Sequence, residues 1–150
     1  MRRIILISVL AFAALYASAQ PRSIGVRGGW AGAWTAELDY QHTLIENNFI
    51  QLDLGLFGNG FRFSTLYNFM LAQPSWGSRG QWSLYAGPGL SMAFYGEIYA
   101  AVAAQIGLEY RFSFPMYVAI DLRPSAPFVT HYGFWPYGIF GAGLSLGIAF

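Results

Sequence analysis

Cysteine is absent from this 150-residue chain. No disulfide or thiolate metal site can hold it, so an exported domain of this size needs other means. Lysine is absent too, and charged residues make up only 10% of the chain. A soluble domain ordinarily covers its surface with Lys and Glu. There is no large charge of either sign, with eight Arg against seven acids. That balance gives no support for nucleic-acid binding. Beyond the amino end, Arg, Asp and Glu break up the apolar stretches. None of them then reads as a membrane helix, which needs roughly 20 mostly apolar residues.

What is present is apolar and aromatic: 55% hydrophobic residues and 19% Phe, Trp and Tyr. A chain too apolar for water and too interrupted for membrane helices points to a transmembrane β-barrel. The amino end has a separate meaning. Arg2 and Arg3, an apolar run from Ile4 to Leu15, and Ala17-Ser18-Ala19 read as a cleaved secretory signal peptide over residues 1–19. Residues 20–150 are then a single barrel domain. Without Arg2 and Arg3, six Arg face seven acids, a formal charge of −1.

The carboxyl end carries the clearest pattern. Phe140, Ala142, Leu144, Leu146, Ile148 and Phe150 alternate with Gly141, Gly143, Ser145, Gly147 and Ala149. A two-residue period means a strand with two unlike faces. Here one face is large and apolar and the other small. Seven more strands read similarly: about Ser23–Trp30, Trp34–Leu44, Phe49–Phe57, Phe61–Leu71, Trp82–Phe94, Ile98–Phe112 and Met116–Arg123. Gly58-Asn59-Gly60 and Gly96-Glu97 are tight-turn signals. Glu46-Asn47-Asn48 and Ser113-Phe114-Pro115 suit two more turns. Gln73–Gly80 and Ser125–Tyr137 are longer connections. Pro88 falls on an apolar face and weakens the fifth strand unless a bulge sits there, because it cannot donate to the ladder. The expected fold is all-β: an eight-stranded antiparallel up-and-down transmembrane barrel. At eight strands the interior is just wide enough for side chains to fill.

Nine charges share the inward parity: Arg27, Glu37, Asp39, Asp53, Arg62, Glu109, Arg111, Asp121 and Arg123. On the lipid side a basic residue at mid-depth would cost roughly 2–4 kcal/mol. Hairpin counting sets Arg27 opposite Glu37 and Asp39 opposite Asp53, with Arg62 expected to neutralise the facing carboxylates. The nine are read as a structural network filling the lumen, with an ion path as the functional alternative.

Aromatics gather near the strand ends, as membrane interfaces require. Trp30, Trp34, Phe57, Phe61, Phe94, Tyr99, Trp135 and Tyr137 are assigned to the outer rim. Tyr40, Phe49, Phe69, Trp82, Tyr110, Phe112 and Phe150 are assigned to the periplasmic rim. The Ser125–Tyr137 connection becomes the longest external loop and a candidate binding surface, through Phe128, His131, Tyr132, Phe134, Trp135 and Tyr137. His131 reads as a solvated loop residue and His42 as an interfacial one. Two isolated histidines make no metal site.

The signal peptide, Leu84-Tyr85-Ala86-Gly87-Pro88-Gly89, Gly107-Leu108-Glu109-Tyr110-Arg111-Phe112, Asp121-Leu122-Arg123-Pro124 and the terminal Phe150 together carry a resemblance. The mature chain resembles the small eight-stranded outer-membrane barrels of OmpA/OmpX shape, and the porin-like outer-membrane β-barrel domain group. The resemblance implies insertion in a bacterial outer membrane. It also implies that Phe150 is an assembly signal read by the barrel-assembly machinery. Outer-membrane lipid is then the main partner, with an unidentified surface ligand for the external loop. The expectation is a monomeric structural or surface-binding barrel with a filled lumen, no cofactor and no catalysis. Two alternatives stay open: a small channel through the lumen, and a lipid A-modifying enzyme.

Overall fold

The structure is a computed structural model, described over residues 22–131, 133 and 138–150. The expected signal peptide lies outside the described residues. Eight strands follow in chain order: β1 (Arg22–Trp30), β2 (Trp34–Thr43), β3 (Phe49–Phe57), β4 (Gly60–Ala72), β5 (Gly80–Tyr95), β6 (Glu97–Phe112), β7 (Met116–Val129) and β8 (Phe140–Ala149). Each pairs antiparallel with the next, and β8 pairs with β1 to close the barrel. Phe150 completes that seam, exchanging backbone hydrogen bonds of 2.8 and 2.7 Å with Arg22. Closure gives every strand a neighbour on both sides over most of its length.

The alternation in sequence becomes an inside and an outside. On β1, Ser23, Gly25, Arg27 and Gly29 are buried while Ile24, Val26, Gly28 and Trp30 are exposed. The outer wall is therefore apolar, with Val26 61% and Leu56 71% exposed. The lumen holds the polar side chains. We call the end carrying Arg22 and Phe150 the near end and the opposite one the far end. Far-end turns use glycine where the chain must turn left-handed, at Gly58 (φ 49°) and Gly96 (φ 71°). Between β2 and β3, Ile45–Asn47 makes one 3₁₀ turn.

The strand ends differ from the sequence expectation in four places. First, β7 continues through Pro124 and Pro127 to Val129, so the long connection begins at Thr130 instead of Ser125. Its last residues pair with β6 alone, where a proline is tolerated on the edge without a partner strand. Second, Pro88 is carried with neither a bulge nor a break in the strand. The register with β6 runs unbroken past Pro88, opposite Ala104. Pairing with β4 skips the two residues Tyr67 and Asn68, and the register shift falls instead between Met70 and Ala72. Third, Phe57 and Tyr99 do not join a rim. They turn inward and pack with Ala31 and Ala93 as an apolar cluster inside the far end. Fourth, Phe49 is also inward, edge-on to Tyr85 at 5.0 Å. All three aromatics share the parity of the inner charges on their strands, so strand alternation outranks the tendency of aromatics to sit at rims.

The interior is not uniformly small. Tyr85 and Tyr117 are buried in the lumen. Space for them comes from glycines across the wall: a Cβ on Gly107 would collide with the Tyr85 ring, and one on Gly25 or Gly147 with Tyr117. The Gly-rich inner face of β8 and β1 is thus the counterpart of bulky groups reaching across from elsewhere.

Candidate functional site in the barrel lumen

Midway along the lumen the charged side chains meet. Arg27 on β1 donates from Nε and Nη2 to the two carboxylate oxygens of Asp121 on β7, at 2.8 and 2.7 Å. Two parallel bonds from one guanidinium are the strongest geometry such a pair can take. Its third nitrogen, Nη1, reaches Glu37 on β2 at 3.2 Å. Arg123 on β7 donates from Nη1 to Asp53 on β3 at 2.7 Å and to Glu37 at 3.4 Å. Glu37 also has Arg62 Nη1 at 4.0 Å. Five strands are tied together by these contacts. All these groups are buried, so water screens them little.

The arrangement goes beyond hairpin counting in one respect. Asp39 and Asp53 do face each other across β2 and β3, and they gain partners that hairpin counting does not supply. Arg62 hydrogen-bonds Ser64 Oγ at 3.0 Å and Ser91 Oγ at 3.3 Å. Arg123 takes Asp53, and the Tyr117 hydroxyl donates to Asp39 at 2.8 Å. Both come from β7 across the lumen, a neighbour that adjacent-hairpin counting cannot see.

Toward the near end the charges give way to amides. Gln51 Nε2 donates to Asp53 at 3.0 Å, and Asn68 Nδ2 donates to Gln105 at 3.2 Å and to Gln51 at 3.4 Å. Gln41 accepts from Ser23 Oγ at 3.1 Å and from Arg111 Nη2 at 3.3 Å. Arg111 also pairs with Glu109. Arg111 is the one of the nine candidate charges that is not fully buried, with its side chain 27% exposed. It lines a cavity of about 180 Å³ at the near mouth, together with Glu109, Ser83 and Tyr85. Sequence reasoning named the charges and, by the same parity, turns Gln41, Gln51, Asn68 and Gln105 inward, but it did not place Tyr85 and Tyr117 in the lumen. Inward parity was the signal that could have found the two tyrosines.

The external-loop candidates divide. Phe128 is exposed, at the far end of β7. His131 is clasped to the β5–β6 hairpin, with Nδ1 at Glu97 and Nε2 at the Ile98 carbonyl, 3.2 Å away. Its ring also meets Tyr99 edge-on at 5.2 Å. It is therefore held in place, where the sequence suggested a freely solvated residue. Glu97 is remote in sequence, which is why no acidic partner was visible near His131. Tyr132, Phe134, Trp135 and Tyr137 lie outside the described residues. His42 sits on the outer parity near Tyr40, whose hydroxyl is 3.3 Å from Nδ1. Among the described residues, no group of three or more His, Asp or Glu side chains is arranged to hold a metal ion.

No protein-family model matches the chain, and no curated protein does so significantly. Among solved structures it is similar to the N-terminal β-barrel domain of Pseudomonas aeruginosa OprF. The TM-score is 0.64 at 16% identity, over 87% of this chain and 97% of that one. At that identity the likeness is one of fold: both are closed barrels, and the chain is an eight-stranded antiparallel up-and-down barrel.

Proposed function

We propose that the chain is an integral bacterial outer-membrane barrel with a lumen closed by its own side chains. Its role is structural, or surface-binding through the far-end loop, and it carries no catalytic centre. One observation supports this reading above the others. Most large apolar side chains of β1 to β8 face out, Phe49, Phe57, Leu66 and Tyr99 apart, while eight of the nine candidate lumen charges are buried inside. In water that arrangement would expose a continuous apolar wall far larger than soluble proteins tolerate. In lipid it is the stable one. The similarity to the OprF barrel domain agrees with it.

The closed lumen is favoured over a channel by the contacts themselves. Arg27 and Arg123 span the barrel to carboxylates on other strands. The far end is further filled by Phe57 and Tyr99. The enzyme alternative draws no support from His131, because both ring nitrogens already face acceptors. Phe150, outward and hydrogen-bonded into the β8–β1 seam, suits the proposed role of assembly signal.

Cell fractionation tests the reading, combined with electrophoresis with and without heating. The full chain is expected in the outer-membrane fraction, migrating as a compact band that shifts only when boiled. Recovery as a soluble periplasmic protein would contradict the proposal.

A further inference from the structure

The connection between β4 and β5, residues 73–79, is longer than a strand-to-strand turn requires. It does not stand away from the barrel. Trp76 within it is 66% exposed, yet it leans edge-on against Trp82 at 5.9 Å. The Trp82 indole N–H donates to the Trp76 carbonyl at 3.1 Å and fixes the chain there. Trp82 stands on the outward parity of β5. The link therefore folds back along the outer wall.

From Trp82 the rings continue sideways. Trp82 meets Tyr110 at 4.8 Å, Tyr110 meets Phe112 at 4.8 Å, and Phe112 stacks on Phe114 at 4.9 Å. Phe114 lies in the β6–β7 turn and is half exposed. Two aromatics outside the strands, Trp76 and Phe114, thus extend the apolar wall beyond the ends of β5 and β6. Arg79, the link's only charged residue, follows Trp76 by three positions. Apolar ring bodies with polar N–H and O–H tips, beside a cation, match the region where acyl chains meet phosphate headgroups.

We propose that residues 73–79 and the turn at Phe114 form one membrane-surface anchor. It would lie in the headgroup layer of the phospholipid leaflet at the near end of the barrel. This rests on the outer-membrane reading, and the continuity of the rings with the apolar wall is what selects lipid as the partner. A protein or cell-wall partner would call for rings pointing away from that wall.

The lack of native cysteine makes the test direct. Single nitroxide labels are placed at Ser75→Cys, at Leu144→Cys on the outer wall, and at Glu46→Cys in the β2–β3 connection. The full chain is refolded in vesicles of phosphatidylcholine with phosphatidylglycerol. Relaxation by oxygen, which favours lipid, is compared with relaxation by a water-soluble nickel chelate. The Ser75 label is expected between the other two, with oxygen the stronger relaxant. Adding Trp76→Ser should move it toward the Glu46 value. If the Leu144 label is lipid-exposed while the Ser75 label matches Glu46, the anchor is wrong and the membrane reading stands. A nickel-accessible Leu144 label would overturn both. A Ser75 label that is water-exposed in vesicles and immobilised only by isolated cell-wall fragments would assign the link to the wall, and would also overturn the anchor.

Discussion

The middle of the lumen and its far end are filled by opposite chemistry. In the middle, Arg27, Glu37, Asp53, Asp121 and Arg123 form ion pairs across the barrel. At the far end, Ala31, Phe57, Ala93 and Tyr99 pack with little polarity. Both regions exclude water, but they fail differently. An apolar cluster that loses one ring loses packing. A buried charge network that loses one member keeps an unpaired charge, which is far more costly. The middle should therefore govern both stability and closure, and the far end should add to them.

Arg123→Ala is the most severe way to break that comparison. It strips Asp53 and Glu37 of a shared cation, and removing one partner of a buried pair costs roughly 3–5 kcal/mol. Urea unfolding in detergent micelles should show a large drop in midpoint. A change near zero would mean the network does not hold the barrel. Leu144→Arg puts the same charge on the other side of the wall. At mid-depth in lipid it is expected to cost roughly 2–4 kcal/mol, and the folded, heat-shifting band should be lost. A normally assembled variant would reverse the assignment of the two faces.

Two smaller effects sharpen the contrast. Gly143→Leu pushes a side chain into the Arg27 guanidinium, which already contacts the position a Cβ would take. Overpacking of this kind costs about 1–3 kcal/mol, and Gly143→Ala should cost less. Phe57→Ala should cost about 1.5–3 kcal/mol from lost burial and leave the barrel electrically silent. Steady current through Phe57→Ala would move the seal from the charged middle to the far end.

Much of this was legible in the sequence, and the misses have physical causes. Strict alternation on β8 and β1 is enough to set the faces, because a one-residue slip would turn every charge into the wall. Short turns at both ends then carry the register from strand to strand, so Arg27 falls opposite Glu37 and Asp39 opposite Asp53. What hairpin counting cannot reach is closure. Arg123 and Tyr117 approach Asp53 and Asp39 from β7, which is distant in chain order and near only once the barrel is round. Phe49, Phe57 and Tyr99 were misplaced because a preference for rims was set above their own inward parity. Pro124 and Pro127 hid the last residues of β7: Pro124 is still paired with Phe140 of β8, and Pro127 lies where β7 has β6 as its one neighbour. His131 was read without Glu97 because the two meet only through the protruding β5–β6 hairpin.

Single-channel conductance in a planar bilayer tests the central claim most directly. The wild-type chain would be measured beside Phe57→Ala and Arg123→Ala. The account predicts silence for the wild type and for Phe57→Ala, with steady current appearing in Arg123→Ala. Steady, ion-selective current through the folded wild-type barrel would contradict it.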